Sequence, residues 1–220
     1  MQATIVAAGD LAPADIAHVT AADLVIAADG GASGLVRLGH RPDLVVGDLD
    51  SIGVDLLERL VAEGTGVERH PRDKDTSDTA LAVRAAVRAG ASRLVLLGTT
   101  GGARLDHAVA NLLLLADPSF AGVDLRLVHG ADTLRLQSGA GVVRLDGAVG
   151  DLVSLLPLGE TARGVSTVGL RWTLDDAELL TGGTRGLSNE VVETPASVSL
   201  GEGRLVVIEH RTTKEGDRTQ

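Results

Sequence analysis

Pro42-Asp43-Leu44-Val45-Val46-Gly47-Asp48-Leu49-Asp50-Ser51 is the stretch from which the fold is read. Leu44 to Val46 is a short apolar run, of the kind that forms a strand buried on both faces of a parallel sheet. Gly47 ends the run, and two carboxylates and a hydroxyl follow. In an extended segment residues i and i+2 point to the same side. Asp48 and Asp50 are therefore expected to converge just past the carboxyl end of the strand, where open α/β sheets bind ligands. Like charges held that close repel unless a cation lies between them or one takes up a proton. A hard cation such as Mg²⁺, shared between carboxylates and substrate phosphates, suits them. A solvated acidic turn is the plain structural alternative.

Composition narrows the classes that this stretch belongs to. The chain has 220 residues, enough for one large domain or two small ones. It is 44% hydrophobic but holds only two aromatics, Phe120 and Trp172. The core is thus built from Leu, Val, Ile and Ala. Cysteine is absent, which excludes disulfides and thiolate metal sites. A formal net charge of −10 argues against a partner with a dense anionic surface, whether nucleic acid or membrane. Nucleotides stay open, because a bound divalent cation inverts local charge logic. With no signal peptide and no long apolar run, a soluble cytoplasmic protein is expected. The only lysines are Lys74 and Lys214; the other 18 basic residues are arginine. Lys74, inside a charged cluster, stands out against that bias.

Up to about residue 130 the pattern alternates strand and helix. Strands are expected at Thr4 to Ala8, Leu24 to Ala27, Leu44 to Val46, Val67 to Arg69, Arg93 to Leu97 and Asp124 to Val128. Helices are expected at Ala14 to Val19, through Leu35 to Leu38, at Asp55 to Glu63 and at Ser77 to Ala89. The second strand ends in Asp29-Gly30-Gly31, where glycine backbone lets a ligand approach closely. The segment His70-Pro71-Arg72-Asp73-Lys74-Asp75-Thr76-Ser77-Asp78 leads into a helix. Thr76 or Ser77 caps it, and Asp78 sits in its first turn, where the helix dipole favours a carboxylate. Lys74 is placed to meet phosphate oxygens as a point charge, and Asp75 to complete a carboxylate set with Asp48 and Asp50.

After the fifth strand comes Gly98-Thr99-Thr100-Gly101-Gly102-Ala103-Arg104-Leu105-Asp106-His107. A glycine-rich turn that opens a helix cradles anions with its free N–H groups. It lacks the Gly-Lys-Ser/Thr of a Walker loop. Arg104 is a candidate phosphate clamp, and Asp106 is either the helix N-cap or a ligand residue. His107 and Asn111 lie one turn apart; for His107 a packing role and a catalytic role are both open. Val109, Leu112, Leu113 and Ala116 repeat at i, i+3, i+4 and i+7, which predicts a buried helix face.

From about residue 131 the text becomes short β-like runs separated by Gly, Pro and Asp, the pattern of an all-β sandwich or barrel. The expectation is an α/β domain over 1–130, an open and mostly parallel sheet, followed by an all-β sandwich domain over 131–220. The polar 214–220 tail is expected to fray. Within the β domain, Trp172 is either a core plug or a stacking plate for a flat cationic ligand. Gly186-Leu187-Ser188-Asn189-Glu190 is the polar turn expected beside it.

These residues, in this order, resemble the thiamine pyrophosphokinase (thiamine diphosphokinase) family along nearly the full chain. The matching segments are Asp29-Gly30-Gly31-Ala32, Gly47-Asp48-Leu49-Asp50-Ser51, Lys74-Asp75-Thr76-Ser77-Asp78, the Gly101-Gly102 to Asp106-His107 turn with Asn111-Leu112, Gly164-Val165-Ser166-Thr167 with Gly169-Leu170-Arg171-Trp172, and Ser188-Asn189-Glu190. Three positions depart from the family's pattern: Ser33 where Asn is common, Ser77 where Thr is common, and an extra Ala103 before Arg104.

The resemblance implies transfer of the β- and γ-phosphoryl groups of ATP, as one unit, to the thiamine hydroxyl, leaving AMP. It implies an α/β domain that binds ATP and Mg²⁺, a β-sandwich domain that binds thiamine, and a homodimer. By similarity Asp48, Asp50 and Asp75 hold Mg²⁺. Asp29, Gly30, Gly31, Lys74, Ser77, Arg104 and Asp106 contact the nucleotide, and Asp78 orients the hydroxyl. Trp172 stacks on thiamine, with Ser188 and Asn189 as polar contacts. Two other readings compete: a pyrophosphokinase for another flat alcohol such as a hydroxymethylpterin, and a non-catalytic nucleotide-binding relative. Trp172 with Ser188-Asn189 favours thiamine, and the retained carboxylates favour catalysis.

Overall fold

The computed structural model describes residues 1–102 and 104–212, so the expectations placed on Ala103 and on the 214–220 tail fall outside the described residues. The chain is mixed α/β and divides into two compact units, Met1–Gly130 and Ala131 onward.

In the first unit the order is β1 (Gln2–Val6), α1 (Ile16–Thr20), β2 (Leu24–Ala28), α2 (Gly31–Arg37), β3 (Leu44–Gly47), α3 (Val54–Ala62), β4 (Gly66–Arg69), α4 (Asp78–Arg88), β5 (Arg93–Leu97), α5 (Leu105–Leu113) and β6 (Asp124–His129). The strands lie in the order β6-β5-β1-β2-β3-β4, and every pair is parallel. Parallel neighbours need a crossover, and the intervening helices supply it. Register places Val6 beside Ala27 and Leu97, and Ala27 beside Val45. That row packs with Val19 of α1, Ala32 and Leu35 of α2 and Leu60 of α3. The alternate row, Ile5, Ile26 and Leu96, is fully buried. Helix α4 packs across β1, β2 and β3. Its buried residues include four alanines, Ala80, Ala82, Ala85 and Ala86, whose small side chains let the helix sit close to the sheet.

Helix α5 differs from its expected packing. Val109 and Leu113 are exposed, whereas Asn111 and Leu115 are buried. The helix is rotated so that the Asn111 amide reaches inward: its Nδ2 donates to the Thr99 carbonyl at 3.0 Å.

The second unit contains β7 (Asp132–Ser138), β8 (Gly141–Arg144), β9 (Leu152–Pro157), β10 (Ala162–Val168), β11 (Ala177–Leu179), β12 (Asn189–Glu190), β13 (Ser197–Leu200) and β14 (Arg204–His210). Here every pairing is antiparallel. One set of strands runs β12-β9-β14-β7, and the other β11-β10-β13-β8. Val153, Leu155, Leu205 and Val207 from the first set share one core with Val143, Val165, Val198 and Leu200 from the second. The short strands β11 and β12 were not anticipated from the sequence. Phe120 is buried and Trp172 is not, so the two aromatics have different uses. Among the described residues no helix is long and apolar enough to cross a membrane.

Candidate active site

Because all six strands of the first unit are parallel, the segments that follow β1 to β5 leave from one edge of the sheet. The strand order reverses between β1 and β5, the place where such sheets form a ligand crevice. Asp29 is the first residue past β2, with φ +43. Its N–H donates to the Val46 carbonyl at 2.9 Å. Asp tolerates this left-handed conformation better than most residues, and such backbone outliers gather at functional sites. Directly behind it, a Cβ on Gly31 would stand 2.0 Å from the Val6 carbonyl oxygen, so α2 starts against β1 only with glycine there.

Asp78 arrives from far along the chain. It is the first residue of α4, and the path of α4 over β1 to β3 sets it against the end of β3. A Cβ on Gly47 would lie 3.0 Å from Asp78 Oδ1 and 3.1 Å from the Asp29 Cβ. Ser77 caps the helix: its Oγ accepts from the Ala80 N–H at 3.3 Å. Thr76 is not the cap, and its Oγ1 accepts from Arg84 Nη1 at 3.5 Å.

The result is a group of three carboxylates, Asp29, Asp48 and Asp78, each with an oxygen within 4.8 Å of the others. Lys74 Nζ lies 3.1 Å from Asp78 Oδ1 and 3.6 Å from Asp48 Oδ2, and its side chain is 15% exposed. Two of the carboxylate oxygens, Asp29 Oδ1 and Asp78 Oδ1, are buried and accept no aligned hydrogen bond. The contact of Asp78 Oδ1 with Lys74 is an ion pair and not an aligned hydrogen bond. Three carboxylates and one ammonium leave a surplus of negative charge with buried lone pairs to spare, a donor set that fits a hard divalent cation.

Electrostatics follow from this packing. Burial pushes the Asp29 carboxyl above its ordinary 3.8; hydrogen bonds from Ser51 and the Gly30 amide oppose the shift, and the charge of Asp78 adds to it. The Asp48 carboxyl is held below the usual range by the Asp50 N–H and, against some burial, by Lys74. Burial alone would lower Lys74, but Asp78 and Asp48 outweigh it and raise the ammonium pKa.

The group that the fold gathers shares Asp48 with the set grouped from the sequence, Asp48, Asp50 and Asp75, and adds Asp29 and Asp78. Asp48 was expected to converge with Asp50 along an extended segment. Leu49 has φ +67, so the chain turns there, and the Asp50 N–H folds back onto Asp48 Oδ1 at 3.2 Å. Asp50 accepts from Ser51 Oγ at 3.0 Å and lies 3.7 Å from the Arg72 guanidinium. Asp75 is exposed on the loop before α4 and lies outside the three-carboxylate group.

In the glycine-rich turn, Arg104 and Asp106 pair with each other through contacts of 2.9 and 2.6 Å, and both are exposed. The pairing holds the Asp106 carboxyl down at about 2. Asp106 is in the first turn of α5 and does not cap it; the N-cap position is Arg104. His107 is exposed while Asn111 is buried, so the two do not share an open face. One residue of this region escaped the sequence reading. Asp10 Oδ2 accepts from the Gly102 N–H at 3.1 Å, and the Asp10 N–H donates to the Thr100 carbonyl at 3.3 Å. The available signal was its place, an acid just past a strand as Asp29 and Asp48 are.

In the second unit Trp172 is 59% exposed, which removes the core-plug reading. Asn189 is buried, and Oδ1 accepts from the Trp172 N–H at 3.0 Å while Nδ2 donates to the Trp172 carbonyl at 2.7 Å. Ser188 is exposed with φ +55, and its N–H donates to Ser154 Oγ at 3.0 Å.

Together these features define a class: an α/β unit with a lysine-bridged acidic site at the carboxyl edge of a parallel sheet, joined to an all-β unit that exposes its single indole. The sequence pattern of the family described as "Thiamin pyrophosphokinase, catalytic domain" matches residues 17–127, and that described as "Thiamin pyrophosphokinase, vitamin B1 binding domain" matches residues 142–205. The chain belongs to the thiamin pyrophosphokinase family. It is 29% identical over 217 residues to thiamine pyrophosphokinase 2 of Arabidopsis thaliana, covering 87% of this chain and 80% of the relative. The crystal structure of thiamine pyrophosphokinase from Bacillus subtilis superposes with a TM-score of 0.84 at 23% identity, covering 97% of this chain and 100% of that one, and shares the fold. That of thiamin pyrophosphokinase from Geobacillus thermodenitrificans gives 0.80 at 26% identity, covering 97% and 99%.

Proposed function

We propose that the chain transfers the β,γ-pyrophosphoryl group of ATP to the hydroxyl of thiamine, giving thiamine diphosphate and AMP. Family membership across both units supports the reaction. The observation that carries the mechanism is the Asp29–Asp48–Asp78 group bridged by Lys74. In this reading the first unit is the nucleotide domain and the second a β-sandwich that takes thiamine. The enzyme works as a homodimer in the cytoplasm.

Asp29, Asp48 and Asp78 would hold Mg²⁺, with Asp50 on the adjoining turn and Asp75 outside the set. The metal supplies charge neutralisation at the triphosphate oxygens. Lys74, held by two carboxylates, presents a fixed positive charge to the same oxygens. The Asp29-Gly30-Gly31 turn admits the nucleotide close to the backbone. Phosphoryl transfer asks a protein mainly for positioning and for stabilising charge, and these groups do both. In the second unit the exposed Trp172 ring stacks on the cationic thiazolium and its partner ring, a geometry that a π-face favours. Ser188 adds a hydroxyl beside it.

The deciding test is one incubation with ATP, Mg²⁺ and thiamine, followed by separation of nucleotides and thiamine esters. Equal amounts of AMP and thiamine diphosphate, without ADP, are expected. ADP with thiamine monophosphate would overturn pyrophosphoryl transfer. No product from folded, ATP-binding protein would overturn thiamine as the acceptor, and a panel of pterin alcohols would then separate another acceptor from a non-catalytic role.

A further inference from the structure

The Asn189 side chain is spent on the main chain of Trp172. Leu170 and Val191 form an isolated antiparallel bridge, and the Arg171 N–H donates to the Glu190 carbonyl at 2.9 Å. In this register Trp172 and Asn189 form the next opposed pair, which is of the non-hydrogen-bonded kind, so the backbone of residue 189 offers the Trp172 N–H and C=O no ladder bond. The chain turns at Ser188, with φ +55, and β12 is committed on its other side to β9 through Asn189–Val153 and Glu190–Leu152. A carboxamide has the donor and acceptor of a peptide group. The Asn189 amide takes that place, accepting from the Trp172 N–H at 3.0 Å and donating to its carbonyl at 2.7 Å. The same Oδ1 accepts from the Glu190 N–H at 2.9 Å, which locks the amide's orientation. At 7% exposure Asn189 meets almost no solvent, whereas the indole it secures is 59% exposed. An ion pair between Arg171 and Glu190, at 2.9 Å, flanks the joint.

We infer that Asn189 is a positioning residue that acts on thiamine through Trp172, and not a direct thiamine contact. A surface indole on a loop pays ordering entropy in both backbone and side chain when a ligand stacks on it; a backbone anchored on both its N–H and C=O has the main-chain share of that cost removed in advance. This rests on the reading of Trp172 as the acceptor plate, and the two are separable because Trp172 is the only tryptophan of the chain. Its fluorescence reports its own mobility with no substrate present.

The test compares the full-length protein with Asn189→Ala and Asn189→Asp, the latter keeping an acceptor for the Trp172 N–H but losing the donor to its carbonyl. Fluorescence anisotropy of Trp172 is measured without substrate, and kcat and both KM values are then measured. The expected result is lower anisotropy in Asn189→Ala, an intermediate value in Asn189→Asp, a thiamine KM raised about tenfold and an ATP KM changed less than about twofold. Unchanged anisotropy with a raised thiamine KM would overturn the inference and make Asn189 a direct contact. Unchanged anisotropy and unchanged KM would overturn it as well. Lower anisotropy with an unchanged thiamine KM would leave the clamp in place but remove Trp172 from the acceptor site, overturning the reading on which the inference rests. Should Asn189→Ala fail to fold by circular dichroism, the Asp variant carries the same comparison.

Discussion

Asp78 Oδ1 occupies the space in front of Gly47: a Cβ built there would be 3.0 Å away. The two residues are 31 positions apart, and neither implies the other. Gly47→Ala is expected to displace Asp78 and with it the acidic group. Misplacing a site by about an ångström costs up to about a hundredfold in rate. Gly47 also has φ +152, which an L side chain rarely adopts, so the variant should lower the thermal transition as well as lose at least about tenfold in kcat/KM. Normal turnover would show that the group tolerates a shift of that size.

Lys74 has two opposed effects on the site. It neutralises Asp48 and Asp78, and it presents a positive charge to an incoming polyphosphate. Lys74→Met should therefore lower the Mg²⁺ concentration needed for half-maximal activity and raise the ATP KM, by about tenfold if the lysine meets phosphate directly. Titrating Mg²⁺ at fixed ATP, then ATP at saturating Mg²⁺, separates the two effects. Movement of both in the same direction would contradict this division of roles.

The two carboxylate sets share only Asp48, and Asp75 belongs to the sequence-derived set alone. Asp48→Asn and Asp78→Asn are expected to lose at least about a hundredfold in kcat, because each removes a charged member of the group that fits the cation. Asp75→Asn, exposed and outside that group, should lose less than about tenfold by the same measure. A loss for Asp75→Asn as deep as that for Asp48→Asn would return Asp75 to the metal set.

Burial lifts the Asp29 carboxyl above 3.8 despite its hydrogen bonds. The folded chain therefore holds that proton more tightly than the unfolded chain, and ionisation weakens the fold. The penalty is absent below the unfolded value of 3.8 and complete once the pH exceeds the raised folded value. In EDTA, Asp29→Asn should raise Tm at about pH 7, by about 2–4 °C for each kcal/mol relieved, and leave it unchanged at about pH 3.5. Turnover should fall in the same variant. A lower Tm at neutral pH would mean that the hydrogen bonds from Ser51 and Gly30 outweigh burial.

Local pattern made most of the elements legible. The apolar run Arg93–Leu97 appears as a strand over those same residues, because strand burial is written in consecutive side chains. Helix α5 was misjudged on its face, since a 3.6-residue apolar repeat competes with one buried amide whose partner, the Thr99 carbonyl, has no side-chain signature. Strands β11 and β12, with three and two residues, are too short to carry a period.

The sequence by itself determined the alternation of strand and helix, the change to β text near residue 131, and the order of motifs that marks the family. It also identified Asp29, Asp48, Asp78 and Lys74 as acidic or basic groups placed next to glycine turns and helix starts. Only the tertiary structure decided which carboxylates meet. The positive φ at Leu49 folds the Asp50 N–H back onto Asp48, and the passage of α4 over β1 to β3 sets Asp78, with Lys74 on the loop before it, against Asp48. Likewise Asn189 reads as a polar turn residue until the fold sets its amide against the Trp172 N–H and C=O, which have no ladder partner in residue 189. Periodicity and propensity act over a few residues, whereas convergence of charges depends on how a helix crosses a sheet and on single backbone angles, and neither is a local property of the chain.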